Sequence, residues 1–317
     1  MQRKYDIVLL GATGFTGGLM VEYMAATFPG SLRWAIAARN KAKLEALARK
    51  FKVEAAGGSI IVLEVNPEAE IQNVVKSTRV IINVIGPYPT TCGPVVFKTC
   101  AENGTDYVDW YLFFNIQHYL QHQMIITCGL DAVPPDLTTY LAVSHIRQIF
   151  NTPTREAIVS LQEIRGGYGP NFHFSARPRL PSTLRDFVRV LPLISVGFLL
   201  SFSVTRFILT RFIYPEGYSP DPKRLEDYRF SHRTLTVADT GDESTAKRAI
   251  VDFKFQGDQY KFTGIAMVEA AVTLLEGGTE AHRLGGDVMT PAMLGDKYAE
   301  NLQRPGSGVE ISIRAEG

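Results

Sequence analysis

Cysteine, net charge and long apolar runs are all scarce in this chain. Its three cysteines, Cys92, Cys100 and Cys128, are too few and too scattered for a disulfide framework or a zinc knuckle. They fit a reducing compartment. The formal net charge is +1, so bulk charge gives no reason to propose a nucleic-acid partner. No internal repeat and no low-complexity segment is visible. Met1-Gln-Arg-Lys-Tyr-Asp6 runs straight into an apolar strand, so no signal peptide is expected and a cytoplasmic location is. His118 and His122 lie one helical turn apart, but no third ligand accompanies them, so no metal is expected.

A membrane-spanning helix needs ~20 apolar residues. Residues 190–205 are uncharged for 16 positions, interrupted by Pro192 and Gly197, with Arg185, Arg189, Arg206 and Arg211 on either side. Three readings stay open for this segment. It is a buried core or dimer helix, the lining of an apolar substrate tunnel, or a membrane-surface contact through 190–211 in which arginines meet anionic headgroups.

What is present is a chain of 317 residues, 45% hydrophobic, enough for one large or two ordinary domains. Its most telling stretch is Tyr5-Asp-Ile-Val-Leu-Leu-Gly-Ala-Thr-Gly-Phe-Thr-Gly-Gly18, a buried strand, a glycine turn and a helix start. Gly11 allows the tight turn at the strand end, Gly14 lets backbone approach a phosphate, and Gly17 lets the helix pack close to the sheet. Thr13, Phe15 and Thr16 stand where free N–H groups at the helix N-terminus face an anion. This is a dinucleotide-binding turn spaced G-x-x-G-x-x-G.

Residues 1–137 alternate strands and helices. Strands are expected at 7–10, 32–37, 60–65, 80–85, 107–109 and 124–128, and helices at 41–50, 71–76 and 94–103. That pattern is the signature of an α/β, Rossmann-type doubly wound parallel sheet. Residues 138–317 read as a second, mixed α+β domain for substrate and dimerisation, whose helices at about 265–300 pack back on the first. A helix is expected over 138–150 and a strand over 157–164. Residues 215–247 read as a surface loop, 249–255 with 260–262 as a hairpin, 265–275 as a helix ended by Gly277-Gly278, and 309–313 as a last strand.

An NAD site usually places a carboxylate at the tip of the second strand. No acid stands there. Arg39 does, with Asn40, Lys41 and Lys43 beside it. A guanidinium forks onto a 2′-phosphate that a carboxylate would repel, so NADPH is the expected cofactor. The fourth strand ends in Gly86-Pro-Tyr88, which is expected to line the cofactor crevice, and Asn66 ends the third near the adenine.

Several segments then occur in order: Asp6-Ile-Val-Leu-Leu-Gly-Ala-Thr-Gly-Phe-Thr-Gly17, Trp34-Ala-Ile-Ala-Ala-Arg39, Ile82-Asn-Val-Ile-Gly-Pro-Tyr88, Gly104-Thr-Asp-Tyr-Val-Asp109 and Cys128-Gly-Leu-Asp-Ala-Val-Pro-Pro-Asp136. Together they resemble the saccharopine dehydrogenase-like oxidoreductases, and within them the trans-acting enoyl reductase branch. The segment starting Gly285-Gly-Asp-Val-Met-Thr-Pro is similar to that branch too. The resemblance implies NADP(H) binding by Gly11, Thr13, Gly14, Phe15, Thr16, Gly17, Arg39 and the Gly86-Pro87-Tyr88 turn, with Asn40 and Lys43 beside Arg39 as further expected cofactor contacts, and it implies a homodimer. It also implies enoyl reduction of a hydrophobic polyketide- or lipid-derived substrate in secondary metabolism, presented on a polyketide synthase carrier. Relatives follow the Tyr-Val-Asp motif with Leu-Thr-Gly-Glu; here Asp109 is followed by Trp110-Tyr-Leu-Phe-Phe114, and a Gly166-Gly-Tyr-Gly-Pro170 stretch also departs. Those changes motivate an alternative, a non-redox Rossmann-fold descendant that isomerises or cyclises such a substrate.

Hydride transfer often needs an acid for the second proton. The candidates are Tyr88 and Asp131. Asp131 follows the sixth strand and faces the crevice, or it caps the helix that Pro134 and Pro135 introduce. Cys128 reads as a small buried residue. Tyr168 and His173 sit in the glycine-rich stretch and are placed to enter the pocket.

Overall fold

A computed structural model describes residues 3–63, 67–86, 93–110, 122–165, 228–240 and 246–316. The N-terminal part alternates as its apolar runs dictate: β1 (Tyr5–Leu10), α1 (Phe15–Thr27), β2 (Trp34–Ala38), α2 (Lys41–Lys50), β3 (Gly58–Val62), α3 (Pro67–Ser77), β4 (Thr78–Asn83), α4 (Gly93–Asn103), β5 (Asp106–Val108) and β6 (Gln123–Ile125). Next come α5 (Val133–Phe150), β7 (Thr154–Arg165), β8 (Arg229–Ala238), β9 (Arg248–Gln256) and α6 (Gln259–Glu276). The chain ends with α7 (Glu280–Leu284), β10 (Asp287–Met289), α8 (Gly295–Leu302) and β11 (Val309–Glu316).

The larger sheet runs β10-β6-β5-β4-β1-β2-β3, and its pairings are parallel. Within β1, successive residues point to opposite faces, so Ile7 and Leu9 join one core and Val8 and Leu10 the other. The first core is shared with α1, α5 and α6, the second with α3 and α4. Burial on both faces is why these strands read as continuous apolar runs. The seventh strand, β10, joins the sheet beside β6 although it lies far along the chain. Three residues gave no periodicity by which to expect it.

The smaller sheet is antiparallel, in the order β11-β9-β8-β7. One face meets α5: the Thr138 and Thr234 hydroxyls are 2.7 Å apart, and Phe230, Phe253, Phe255 and Phe262 form an aromatic cluster that joins this sheet to α6.

Two expectations fail here. Residues 215–247 read as a surface loop, yet β8 is a ten-residue strand with Phe230, Thr234, Thr236 and Ala238 buried. Threonine looks polar in composition, but it is β-branched and satisfies its hydroxyl locally; Thr236 Oγ1 donates to the Ala249 carbonyl at 3.2 Å. Residues 260–262 read as half a hairpin but are the first turn of α6. Asp258 Oδ1 accepts from the N–H groups of Tyr260 and Lys261, both at 2.8 Å, and this cap starts a helix where alternation suggested a strand. The 190–211 segment, Tyr168 and His173 lie outside the described residues. Among the described residues no helix is long and apolar enough to cross a membrane.

Candidate functional site

The site is built at the carboxyl ends of β1, β2, β4, β5 and β6. Gly11 has a φ of +89°, and a Cβ on it would lie 2.9 Å from the Val84 carbonyl carbon. The glycine is therefore demanded by the close approach of the β1 and β4 tips as well as by the turn. Gly17 packs just as tightly, since a Cβ there would meet the Gly11 carbonyl and, at 2.9 Å, Ala12 Cα. Gly14 differs. It is exposed, and a Cβ on it would meet only the Gly11 carbonyl, at 3.3 Å, so its open face is turned outward.

Gly14 caps α1 without a side-chain hydrogen bond, and the first turn of α1 carries no acid. The first bond into the helix runs from Gly18 N–H to the Gly14 carbonyl, at 2.9 Å. Among the described residues, the N–H groups of Thr13, Phe15 and Thr16 have no acceptor. Free donors at the positive end of a helix can hold a phosphate.

Arg39 follows β2 immediately and is exposed. Among the described residues it has no ion-pair partner, whereas Lys41 faces Glu45 at 3.9 Å. Asn40 does something the sequence did not disclose. Its Oδ1 accepts from the Lys43 backbone N–H at 2.9 Å and caps α2, so the Asn40 side chain is committed to the helix start while the Lys43 side chain is exposed. Gly86 is exposed with open space around it. Pro87, Tyr88 and Asn66 lie outside the described residues.

Behind Gly86 a buried polar chain fixes the strand tips. Asn83 Oδ1 accepts from Ile85 N–H at 3.2 Å, Asn83 Nδ2 donates to the Tyr107 hydroxyl at 3.0 Å, and that hydroxyl donates to Asp109 Oδ2 at 2.8 Å. The Asp109 carbonyl in turn accepts from Cys128 N–H at 2.8 Å. The chain links the ends of β4, β5 and β6, and nothing in the sequence pattern announced it.

Beyond β6 the backbone turns sharply at Thr127, whose φ is +58°. A cleft of about 410 Å³ opens there, lined in part by Thr16, Trp110, Asp131, Tyr260 and Thr263. Asp131 is exposed, and it does not cap α5: the cap position is Ala132, with no side-chain bond. The capping alternative falls because the chain enters the helix one residue later through Val133-Pro134-Pro135. Cys128 is buried, and burial pushes its thiol up. Trp110, 47% exposed, is a cleft residue that sequence reasoning marked only as a departure. Among the described residues no group of acids, histidines and cysteines could hold a metal.

A second polar cluster lies behind α1. Tyr23 donates to Glu269 Oε1 at 2.6 Å, and Arg304 Nε donates to Glu269 Oε2 at 3.0 Å. Burial lifts the Glu269 carboxyl above its ordinary value, against the lowering pull of Tyr23 and Arg304. This cluster ties α6 to α1 and to the loop after α8, away from the cleft.

Residues 7–132 match the family model described as the saccharopine dehydrogenase NADP-binding domain. A trans-acting enoyl reductase of Mycobacterium tuberculosis is 31% identical over 150 residues, which are 44% of this chain and 35% of that protein. A putative trans-acting enoyl reductase of the same species is 29% identical over 177 residues, covering 52% and 42% respectively. The chain thus spans well under half the length of these relatives. Apo saccharopine dehydrogenase (L-Glu forming) from Saccharomyces cerevisiae superposes with a TM-score of 0.62 over 99% of this chain and 100% of that one, at 14% identity. That likeness is one of fold.

Proposed function

We propose, on the premise that residues 7–132 are a saccharopine dehydrogenase-type NADP-binding domain, that this protein is an NADPH-dependent reductase. Arg39 carries the reading: a guanidinium without an ion-pair partner among the described residues stands at the β2 tip, on the same sheet edge as the glycine turn. NADPH is the cofactor of the domain, and when bound it supplies a hydride. In this assignment the N–H groups of Thr13, Phe15 and Thr16 hold the pyrophosphate, Gly14 admits it, and Arg39 holds the 2′-phosphate. Gly86 borders the crevice, Pro87 is assigned to the cofactor from the sequence alone, and Asn40 and Lys43 shape the crevice by fixing the start of α2.

The cleft beside Trp110 and Asp131 is the place of reaction in this reading. Asp131 delivers the second proton and recovers it from solvent, with Tyr88 as the other proton donor considered. The substrate is an activated carbon–carbon double bond on a hydrophobic polyketide- or lipid-derived acyl chain, offered on a polyketide synthase carrier. The names of the matched trans-acting enoyl reductases support reduction of an enoyl group. We place the division between the cofactor and substrate domains near residue 137 and assign a homodimer, with 190–211 as the candidate membrane-surface segment. The test is to mix the purified protein with NADPH and a short enoyl-pantetheine thioester. Consumption of reduced nicotinamide, matched by saturated product, is expected. Product formed with no consumption of NADPH would favour isomerisation or cyclisation instead.

A further inference from the structure

The cleft has a chemical bias that the reductase reading leaves unused. Sheet order decides which end of the cofactor reaches it. Arg39 stands on the β2 side of the glycine turn and the cleft on the β5–β6 side. A dinucleotide lying across the carboxyl ends of the strands, with its 2′-phosphate at Arg39, therefore extends its nicotinamide toward the cleft. Thr16 belongs both to the first turn of α1 and to the cleft lining, so the two regions are continuous.

Two groups there are matched to a flat cation. Trp110 presents part of an indole, and the neighbouring turn packs on its base: a Cβ on Gly129 would lie 3.7 Å from the Trp110 Cβ. Asp131 is exposed and, among the described residues, has neither a hydrogen-bond nor an ion-pair partner. No lysine, arginine or histidine is among the described lining residues. A carboxylate and an aromatic side chain, with no cation among the described lining residues, attract a positively charged planar ring more than a neutral one.

We infer that Trp110 and Asp131 form a subsite that favours the oxidised, cationic nicotinamide over the reduced, neutral one, and so assists hydride departure. The inference rests on the NADPH reading. In the balanced step, NADPH when bound would supply a hydride to one carbon of the double bond and the Asp131 carboxyl would give a proton to the other, leaving a single bond. Asp131 would then carry the negative charge that faces the oxidised, cationic ring. Asp131 regains its proton from water after NADP⁺ leaves.

The test uses equilibrium binding, because the chain has only two tryptophans. Trp34 is fully buried at the amino-terminal end of β2, with Nε1 donating to the Ala56 carbonyl at 3.2 Å. Any ligand-induced change in emission at the cleft therefore reports Trp110. NADP⁺ should quench wild-type emission, and W110F should abolish that quench. By calorimetry, D131N should weaken NADP⁺ by roughly tenfold while changing NADPH by less than about twofold. The ligand 2′,5′-ADP has no nicotinamide; it should bind without quenching and ignore D131N. Equal effects of D131N on NADP⁺ and NADPH, or NADP⁺ that binds without quenching, overturn the inference and leave the cofactor reading standing. Failure of 2′,5′-ADP to bind the wild type overturns both.

Discussion

The Phe15 ring meets the Tyr260 ring edge-on, with centroids 5.2 Å apart and planes at 89°. One residue opens α1 after the glycine turn, and the other opens α6 at the rim of the cleft. The glycine turn and the helix that closes the cleft therefore share a contact, and Gly264 brings the two helices close; a Cβ there would sit 3.2 Å from Met20 Cγ.

Replacing Tyr260 by leucine keeps bulk and removes the edge contact. The expected loss is about 1 kcal/mol, read as a lower urea midpoint, with NADPH recovering less stability than in the wild type. An unchanged midpoint with unchanged NADPH response would show that the contact couples nothing.

The glycines divide their labour, and two alanine variants separate it. Gly11→Ala forces a Cβ against the β4 tip at positive φ and should cost about 2–4 kcal/mol of stability. Gly14→Ala should stay within about 1 kcal/mol of wild type yet weaken NADPH by at least roughly tenfold, because the methyl group occupies the phosphate approach. Denaturant midpoints and NADPH titration of the same preparations check both. Equal destabilisation would falsify the distinction.

Arg39→Asp should raise the Kd for NADPH by at least about tenfold and leave NADH unchanged or tighter, since the charge that forks onto the 2′-phosphate becomes one that repels it. Parallel titrations with the two cofactors decide the matter. A loss shared equally by both would move the 2′-phosphate site elsewhere.

His232 supplies a pH dependence. It lies on β8, its Nδ1 has no partner among the described residues, and burial lowers its pKa from 6.5 to about 4. As pH falls below 6.5 the unfolded chain takes up the proton first, so stability is fully present above that value. It is lost progressively on descending toward about 4. His232→Leu should flatten this part of the acid-unfolding curve and leave stability at neutral pH unchanged or higher, because an orphaned polar atom is removed. Urea midpoints measured across the window check the sign; a variant as acid-sensitive as the wild type there would place the titration on another group.

The parallel sheet was legible because strands buried on both faces cannot hide: 7–10 and 80–82 are apolar without alternation, and the glycine turn after the first of them fixes a helix start. The bounds of α2 were legible to the residue. Asn40 and Lys43 read as cofactor residues because they adjoin Arg39 at the strand tip, and the cap that Asn40 makes to the Lys43 N–H was not part of that reading. Other features depended on partners far away in sequence. Strand β8 is held by Thr138, Ala142 and Ala249, and the Asn83–Tyr107–Asp109 chain exists only once three strands lie side by side. Trp110 gave no signal of its position, because a single exposed aromatic after a three-residue strand has no period from which to infer a face.

The edge occupied by β10 has a further consequence for how the molecule is made. During translation β6 emerges long before the strand that covers it. Until then a row of backbone donors and acceptors on β6 stands open to any extended segment, including one from a neighbouring nascent chain. The larger sheet stays incomplete until β10 has been made, however well its first six strands assemble. Slow synthesis between β6 and β10 would prolong that exposure, and yield in a foreign host should respond to chaperones that shield β edges.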